Sequence, residues 1–93
     1  MRYIVAFDIS DDRVRRKVAD ILEAYGLRVQ RSLFEVEFKD INELLATKMK
    51  IQSLINKKQD SVRFYYQDIA AIKNFHYLGF GGWAFKRDLI LFF

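Results

Sequence analysis

Apolar residues recur with two different periods along the chain, and these periods predict the order of its strands and helices. Residues 2–9 are apolar on both faces through their middle, which is typical of a buried strand. Residues 11–25 carry apolar side chains at helical spacing, and Ser10 or Asp11 can cap the start of that helix. Gly26 is well placed to end the helix in a left-handed turn.

The next segment, residues 27–39, alternates apolar and polar side chains and therefore predicts extended structure. We expect two short strands paired as a tight hairpin that turns near Arg31 and Ser32, with one long bent strand as the alternative. The remaining elements are a helix from the capping box Asp40–Glu43 to about Ile55, a polar loop over 56–60 and a strand over 61–67.

This β-α-β-β-α-β order predicts an α+β domain with a ferredoxin-like sandwich, in which two helices cover one face of a four-stranded antiparallel sheet. We expect residues 1–93 to form one domain, with its core in 1–67 and an extension in 68–93. The extension ends in the apolar run RDLILFF, which predicts an extra strand, and GFGGW before it predicts a hinge. Because one small sheet has little room for this strand, we expect it to pack on a second copy and form a homodimer.

Composition restricts the classes of protein to consider. The 93 residues include no Cys, so disulfides and thiolate metal sites are excluded. No apolar run approaches the roughly 20 residues of a membrane helix, and the first residues lack the pattern of a signal peptide, so we expect a cytoplasmic protein without a membrane partner. The formal charge of +4 permits a nucleic-acid partner.

Asp8 is the first candidate for chemistry, because it follows a buried strand at the point where the chain leaves the core. It could be a turn or capping acid, although Ser10, Asp11 and Asp12 can already serve that purpose. The alternative is a ligand for a hard cation such as Mg²⁺, which prefers carboxylate oxygens. One Asp is too few for such a site, but two copies of the chain could share one metal.

Basic residues follow in the run Arg13–Lys17. Acids four positions away could pair with them and make an ordinary solvated helix face. Alternatively, together with Arg28 and Arg31, they could hold phosphate groups. Tyr65 and Tyr66 could stack on bases, but they are also typical of a strand.

The segments DISDDRVRRKVADIL, YGLRVQRSLFE and DSVRFYY, which follow a first strand ending in an aromatic residue and Asp, together resemble the CRISPR-associated Cas2 family. The resemblance covers most of residues 1–67, and the tail is only loosely similar. It implies a ferredoxin-like homodimer whose C-terminal strand packs on the partner. Some members are metal-dependent nucleases of single-stranded RNA or double-stranded DNA, and all are associated with spacer acquisition together with the Cas1 integrase.

The resemblance also implies roles for particular residues. The family's metal-binding and catalytic aspartate falls on Asp8. Its other functional positions fall on Arg15, Lys17 and Arg28, which would hold phosphate, and on Phe7 and Phe34, which would support the cleft. The chain differs from many members in having Phe7 in place of Tyr and Lys17 in place of Arg.

Our leading hypothesis is therefore a homodimeric, Mg²⁺-dependent endonuclease of spacer acquisition, with one metal shared by Asp8 of the two protomers. The alternative is a non-catalytic adaptor that binds duplex DNA and bridges integrase subunits. A third hypothesis is an RNA-binding module unrelated to CRISPR systems.

Overall fold

The computed structural model describes residues 1–79, in which the predicted elements follow one another in the predicted order. They are β1 (Arg2–Asp8), α1 (Asp12–Glu23), β2 (Gly26–Gln30), β3 (Leu33–Glu37), α2 (Ile41–Leu54), β4 (Ser61–Gln67) and α3 (Ile69–Lys73). The predicted C-terminal strand and its packing on a second copy lie outside the described residues.

The four strands form one antiparallel sheet in the order β2-β3-β1-β4. The chain consists of two β-α-β halves, β1-α1-β2 and β3-α2-β4. The first strand of each half, β1 or β3, lies in the centre of the sheet, which is the ferredoxin-like arrangement. The fold class is therefore confirmed as α+β and ferredoxin-like, and the hairpin of two short strands is confirmed over the single bent strand. Within residues 1–79, no helix combines the length and apolar character needed to cross a bilayer.

The core lies between one face of the sheet and the two long helices. Alternation along β1 turns Val5 and Phe7 toward the helices, where they are buried with residues of β3, α1 and α2. The other members of this core are Ile9, Val18, Ala19, Leu22, Phe34, Val36, Phe38, Leu44 and Ile51. The packing fixes β1 in the centre of the sheet, so its last residue has a defined position.

Both predicted helix starts are confirmed. The Asp11 carboxylate accepts hydrogen bonds from the backbone N–H groups of Arg13 at 2.8 Å and Val14 at 3.0 Å. Asp40 accepts from the Glu43 N–H at 2.9 Å, while the Glu43 carboxylate accepts from the Lys39 N–H at 2.8 Å. The bonds from Arg13, Val14 and Glu43 satisfy N–H groups that the first turn of a helix leaves without partners, and the bond from Lys39 fixes the residue before the cap of α2.

The predicted left-handed turn at Gly26 is wrong. Among the described residues only Gly79 has a positive φ, and α1 ends at Glu23, before Gly26 begins β2. Gly26 instead lies so close to β3 that a Cβ would overlap the Glu35 carbonyl and come within 2.7 Å of the Val36 Cα. The glycine is therefore required by close strand approach and not by backbone conformation.

Helix α3 was not predicted, because residues 68–79 carry no long periodic pattern. Its start nevertheless has a local signal: Asp68 caps the helix by accepting from the Ala71 N–H at 2.8 Å. Ile72 is the buried residue of this helix.

Candidate metal and nucleic-acid site

Asp8 is the last residue of β1 and its side chain is exposed. Because Phe7 and Ile9 on either side are buried in the core, alternation directs Asp8 toward the face of the sheet that the helices leave open. No hydrogen bond or ion pair within residues 1–79 engages its carboxylate. The capping role that could have explained Asp8 belongs to Asp11, so the Asp8 oxygens stay available to a ligand.

The backbone that follows Asp8 is held at every residue. Ile9 is 2% exposed and its carbonyl accepts a hydrogen bond from Arg15 Nη1 at 2.9 Å. Ser10 donates to Asp60, and Asp11 caps α1. The N–H groups of Val14 and Arg13, in that order, lower the pKa of Asp11 below its ordinary value. Asp8 therefore projects from a segment with little freedom to move, as a metal ligand requires.

Four arginines and one aspartate line a cleft at the same end of the sheet. The cleft has a volume of about 270 Å³, and we call it the arginine cleft; its lining residues are Asp12, Arg15, Arg16, Arg28 and Arg31. Two of the three phosphate-binding residues predicted from the family, Arg15 and Arg28, meet here although they lie on a helix and an edge strand. Arg16 and Arg31 join them; the family resemblance does not include these two residues, but the basic-run hypothesis from the sequence does.

Two of the cleft arginines are fixed by contacts with the protein. Arg15 pairs with Asp12, one helical turn before it, as well as with the Ile9 carbonyl. Arg28 donates from Nε at 3.2 Å and from Nη2 at 2.7 Å to the Arg31 carbonyl. Fixed guanidinium groups lose less side-chain entropy when they bind phosphate.

The other two arginines in the cleft, Arg16 and Arg31, are exposed and form no ion pair with a carboxylate of the described residues. Four guanidinium groups thus face a single carboxylate, so the cleft is positive. A positive cleft with planar, forked donors suits phosphate oxygens.

Phe7 and Phe34 connect the end of β1 to the arginine cleft. Both are buried, and their rings stack with centroids 6.1 Å apart and an angle of 26° between planes. The Arg28 guanidinium lies over the Phe34 ring, 5.6 Å from its centroid. Phe7 and Phe34 therefore form a buried aromatic pair, and the Phe34 ring of this pair contacts Arg28.

Lys17 does not line the arginine cleft. It is exposed on α1 and lies two residues beyond Arg15, about 200° around the helix. Asp8 also lies outside the cleft, on the open face of the sheet, whereas Arg28 pairs with Phe34 on the helix-covered face. The predicted site residues are thus divided between two neighbouring surfaces at one end of the domain.

Tyr65 and Tyr66 are both partly exposed on β4, but as consecutive strand residues they point to opposite faces. Tyr66 packs against Tyr3, with ring centroids 5.4 Å apart. The two tyrosines therefore do not form one platform on which bases could stack.

A metal site complete within one chain does not occur in the part of the chain that the structure describes, where no three His, Cys, Asp or Glu side chains cluster suitably. Carboxylate oxygens are nevertheless what Mg²⁺ prefers, and this ion commonly binds one or two carboxylates and keeps several waters. The exposed Asp8 carboxylates of two chains fit that requirement if their open faces meet.

Comparisons with a family model and with named proteins identify the same family. The family model for "CRISPR associated protein Cas2" matches residues 1–74. A Synechocystis protein named CRISPR-associated endoribonuclease Cas2 3 is 45% identical over 65 residues, which are 68% of this chain and 67% of the relative. A Thermus thermophilus protein named CRISPR-associated endonuclease Cas2 2 is 41% identical over 63 residues, 68% of this chain and 69% of the relative.

Two solved structures extend the likeness to the fold. The crystal structure of Streptococcus pyogenes Cas2 at pH 6.5 matches with a TM-score of 0.74 and 28% identity, covering 85% of this chain and 100% of that one. A chain of a partial Cas6-RT-Cas1–Cas2 complex matches with a TM-score of 0.73 and 36% identity, covering 83% of each chain. The family match over residues 1–74, together with the ferredoxin-like sheet and the aspartate at the end of β1, shows that this chain belongs to the CRISPR-associated Cas2 family.

Proposed function

We propose that the protein is a homodimeric, Mg²⁺-dependent endonuclease that cleaves RNA or DNA during spacer acquisition, with Asp8 of each protomer holding one shared metal. The observation that carries the proposal is the exposed, uncommitted Asp8 carboxylate on a fixed strand end next to the arginine cleft. The names of the relatives, which include both endoribonucleases and endonucleases, support the reaction class.

Each group has a part that follows from its chemistry. A Mg²⁺ ion bound by Asp8 would lower the pKa of a bound water and stabilise negative charge on the phosphate that is cleaved. Arg15 and Arg28, already held by the Ile9 and Arg31 carbonyls, orient the nucleic-acid backbone, while Arg16 and Arg31 add charge. The Phe34 ring packs against the Arg28 guanidinium and supports its orientation.

A second candidate function is that of an adaptor that binds duplex DNA and the Cas1 integrase without cleaving. The similar chain of the partial Cas6-RT-Cas1–Cas2 complex favours this role, since that chain is part of an assembly that includes Cas1. In the adaptor, the arginine cleft would still bind phosphate, but Asp8 would have no metal to hold.

Asp8→Asn separates the two functions. Asn keeps the size and one acceptor oxygen of the carboxylate but removes the negative charge that a divalent ion needs. A dimer loses both ligands by this one substitution. We expect Mg²⁺-dependent cleavage of labelled RNA and duplex DNA to be lost, while the dimer and its DNA binding persist, because Asp8 lies outside the arginine cleft.

Two controls accompany this experiment. Wild type in EDTA should behave like Asp8→Asn, and Asp40→Asn, which removes the same charge from the cap of α2, should cleave normally. Equal cleavage by wild type and Asp8→Asn would contradict the nuclease site. Absence of cleavage by wild type with Mg²⁺ or Mn²⁺, combined with binding to DNA and to Cas1, would establish the adaptor instead.

A further inference from the structure

Asp60 is the one acid near the end of β1 whose two carboxylate oxygens are both occupied by hydrogen bonds among the described residues. Oδ1 accepts from the Ser10 backbone N–H at 3.2 Å and from the Ser10 hydroxyl at 3.4 Å. Oδ2 accepts from the Asn56 N–H at 2.9 Å. Asp60 is therefore poorly suited to bind a metal itself, and its chemistry is that of a fixed acceptor.

The hydrogen bonds of Asp60 join two connections that are far apart in sequence. Ser10 belongs to the connection between β1 and α1, whereas Asn56 and Asp60 belong to the loop between α2 and β4, 50 residues away. The loop is itself closed, because the Asp60 N–H donates to the Asn56 carbonyl at 2.8 Å. The Asp60 carboxylate thus joins the connection between β1 and α1 to a loop that has its own internal hydrogen bonds.

The contact between Asp60 and Ser10 lies next to Asp8 in the fold. Asp8 pairs with Ser61 across the β1–β4 ladder, Asp60 directly precedes Ser61, and Ser10 lies two residues after Asp8. The ladder and the Asp60 carboxylate therefore hold the chain on both sides of Asp8. Rotation of the backbone after residue 8 would have to break the bonds to Ser10.

We propose that Asp60 is a positioning residue for the Asp8 metal site, keeping the Asp8 carboxylate in one orientation by anchoring Ser10. This inference rests on the proposed function, since it assumes that Asp8 binds a metal. Groups that orient metal ligands commonly change metal affinity 10–100-fold when they are removed. Because Asp60 acts on Asp8 through the backbone, we expect an effect of about tenfold, at the lower end of that range.

The test measures binding of Mn²⁺ to the full-length protein by the loss of the free-ion electron paramagnetic resonance signal. Asp60→Asn places an amide donor against one of the two N–H donors, and Asp60→Glu keeps the charge but moves the carboxylate by one methylene. We expect both to bind Mn²⁺ about tenfold more weakly than wild type and to exchange the Ser10 amide hydrogen faster, with unchanged circular dichroism and dimer mass. Asp40→Asn, the charge-matched control at the other end of the sheet, should bind Mn²⁺ normally.

Each result bears on a defined claim. Wild-type Mn²⁺ affinity in both Asp60 variants, with binding abolished in Asp8→Asn, would overturn the positioning role and leave the proposed metal site standing. Weakened binding in Asp60→Asn but not in Asp60→Glu would also overturn it, because charge alone would then explain the effect. Wild-type protein that shows no Asp8-dependent binding would overturn both the inference and the nuclease proposal.

Discussion

The arginine cleft predicts how nucleic-acid binding depends on salt. We consider the double variant Arg16→Ala/Arg31→Ala, which removes the two cleft arginines that form no ion pair within the described residues. Arg15 and Arg28 remain, together with their contacts to the Ile9 and Arg31 carbonyls. The fold should be little affected, because both substituted side chains are exposed.

The magnitude follows from counterion release. Each phosphate of B-DNA that a cation neutralises contributes about 0.9 to the slope of log K against log salt. Two arginines per chain should reduce the slope by about 1.8, and a dimer that places both clefts on one duplex should lose about 3.6. When salt is raised from 50 to 200 mM, the affinity of wild type should therefore fall further than that of the variant. The additional factor is about 12 if one cleft contacts the duplex and about 150 if both do.

The assay is fluorescence anisotropy of a labelled duplex at several salt concentrations. Lys48→Ala/Lys50→Ala, which removes two exposed cations from α2, is the matched control and should leave the slope almost unchanged. Lys17→Ala tests the family position that lies outside the cleft. An unchanged slope for the arginine double variant, or an equal reduction in the α2 control, would show that the cleft is not the phosphate-binding surface.

Two further predictions concern the support of the site. Gly26→Ala should destabilise the protein by about 3 kcal/mol or more in urea unfolding, because its Cβ would overlap the backbone of β3; wild-type stability would show that the strand pair opens without cost. Phe34→Leu should lower the free energy of unfolding by about 1–2.5 kcal/mol, because it removes the ring contacts with Phe7 and Arg28. A smaller loss than about 0.5 kcal/mol would mean that the stacked rings add nothing to ordinary packing.

Much of the fold was predictable, because it depends on patterns that act over a few residues. Helical spacing of apolar residues and the caps Asp11 and Asp40 determine where α1 and α2 begin, and period-two alternation determines β3 and β4. The short helix α3 was missed because one turn and a half contains too few residues to show a period. The prediction of a left-handed turn at Gly26 is wrong because the constraint on this residue comes from β3, which lies beside it only after the sheet forms.

The candidate site was predictable at single positions but not as a surface. Asp8 stands out because a carboxylate follows a buried strand, and the family resemblance adds Arg15, Arg28, Phe7 and Phe34. The sequence groups Arg28 and Arg31 with the basic run as possible phosphate ligands, but which of these cations share a cleft depends on how α1 packs beside the β2–β3 hairpin. The hairpin turn brings Arg31 to the cleft.

Lys17 and Asp60 show the same difference between what the local sequence indicates and what the tertiary structure decides. The sequence places Lys17 within a basic run, but helix geometry turns it away from its neighbour Arg15. From the sequence, Asp60 is only a polar loop residue before a strand, whereas the fold brings it into contact with Ser10, 50 residues away. Local hydrogen bonding and apolar periodicity thus determine the elements of this protein, while the pairing of β1 with β4 and the packing of helix on sheet decide which side chains meet.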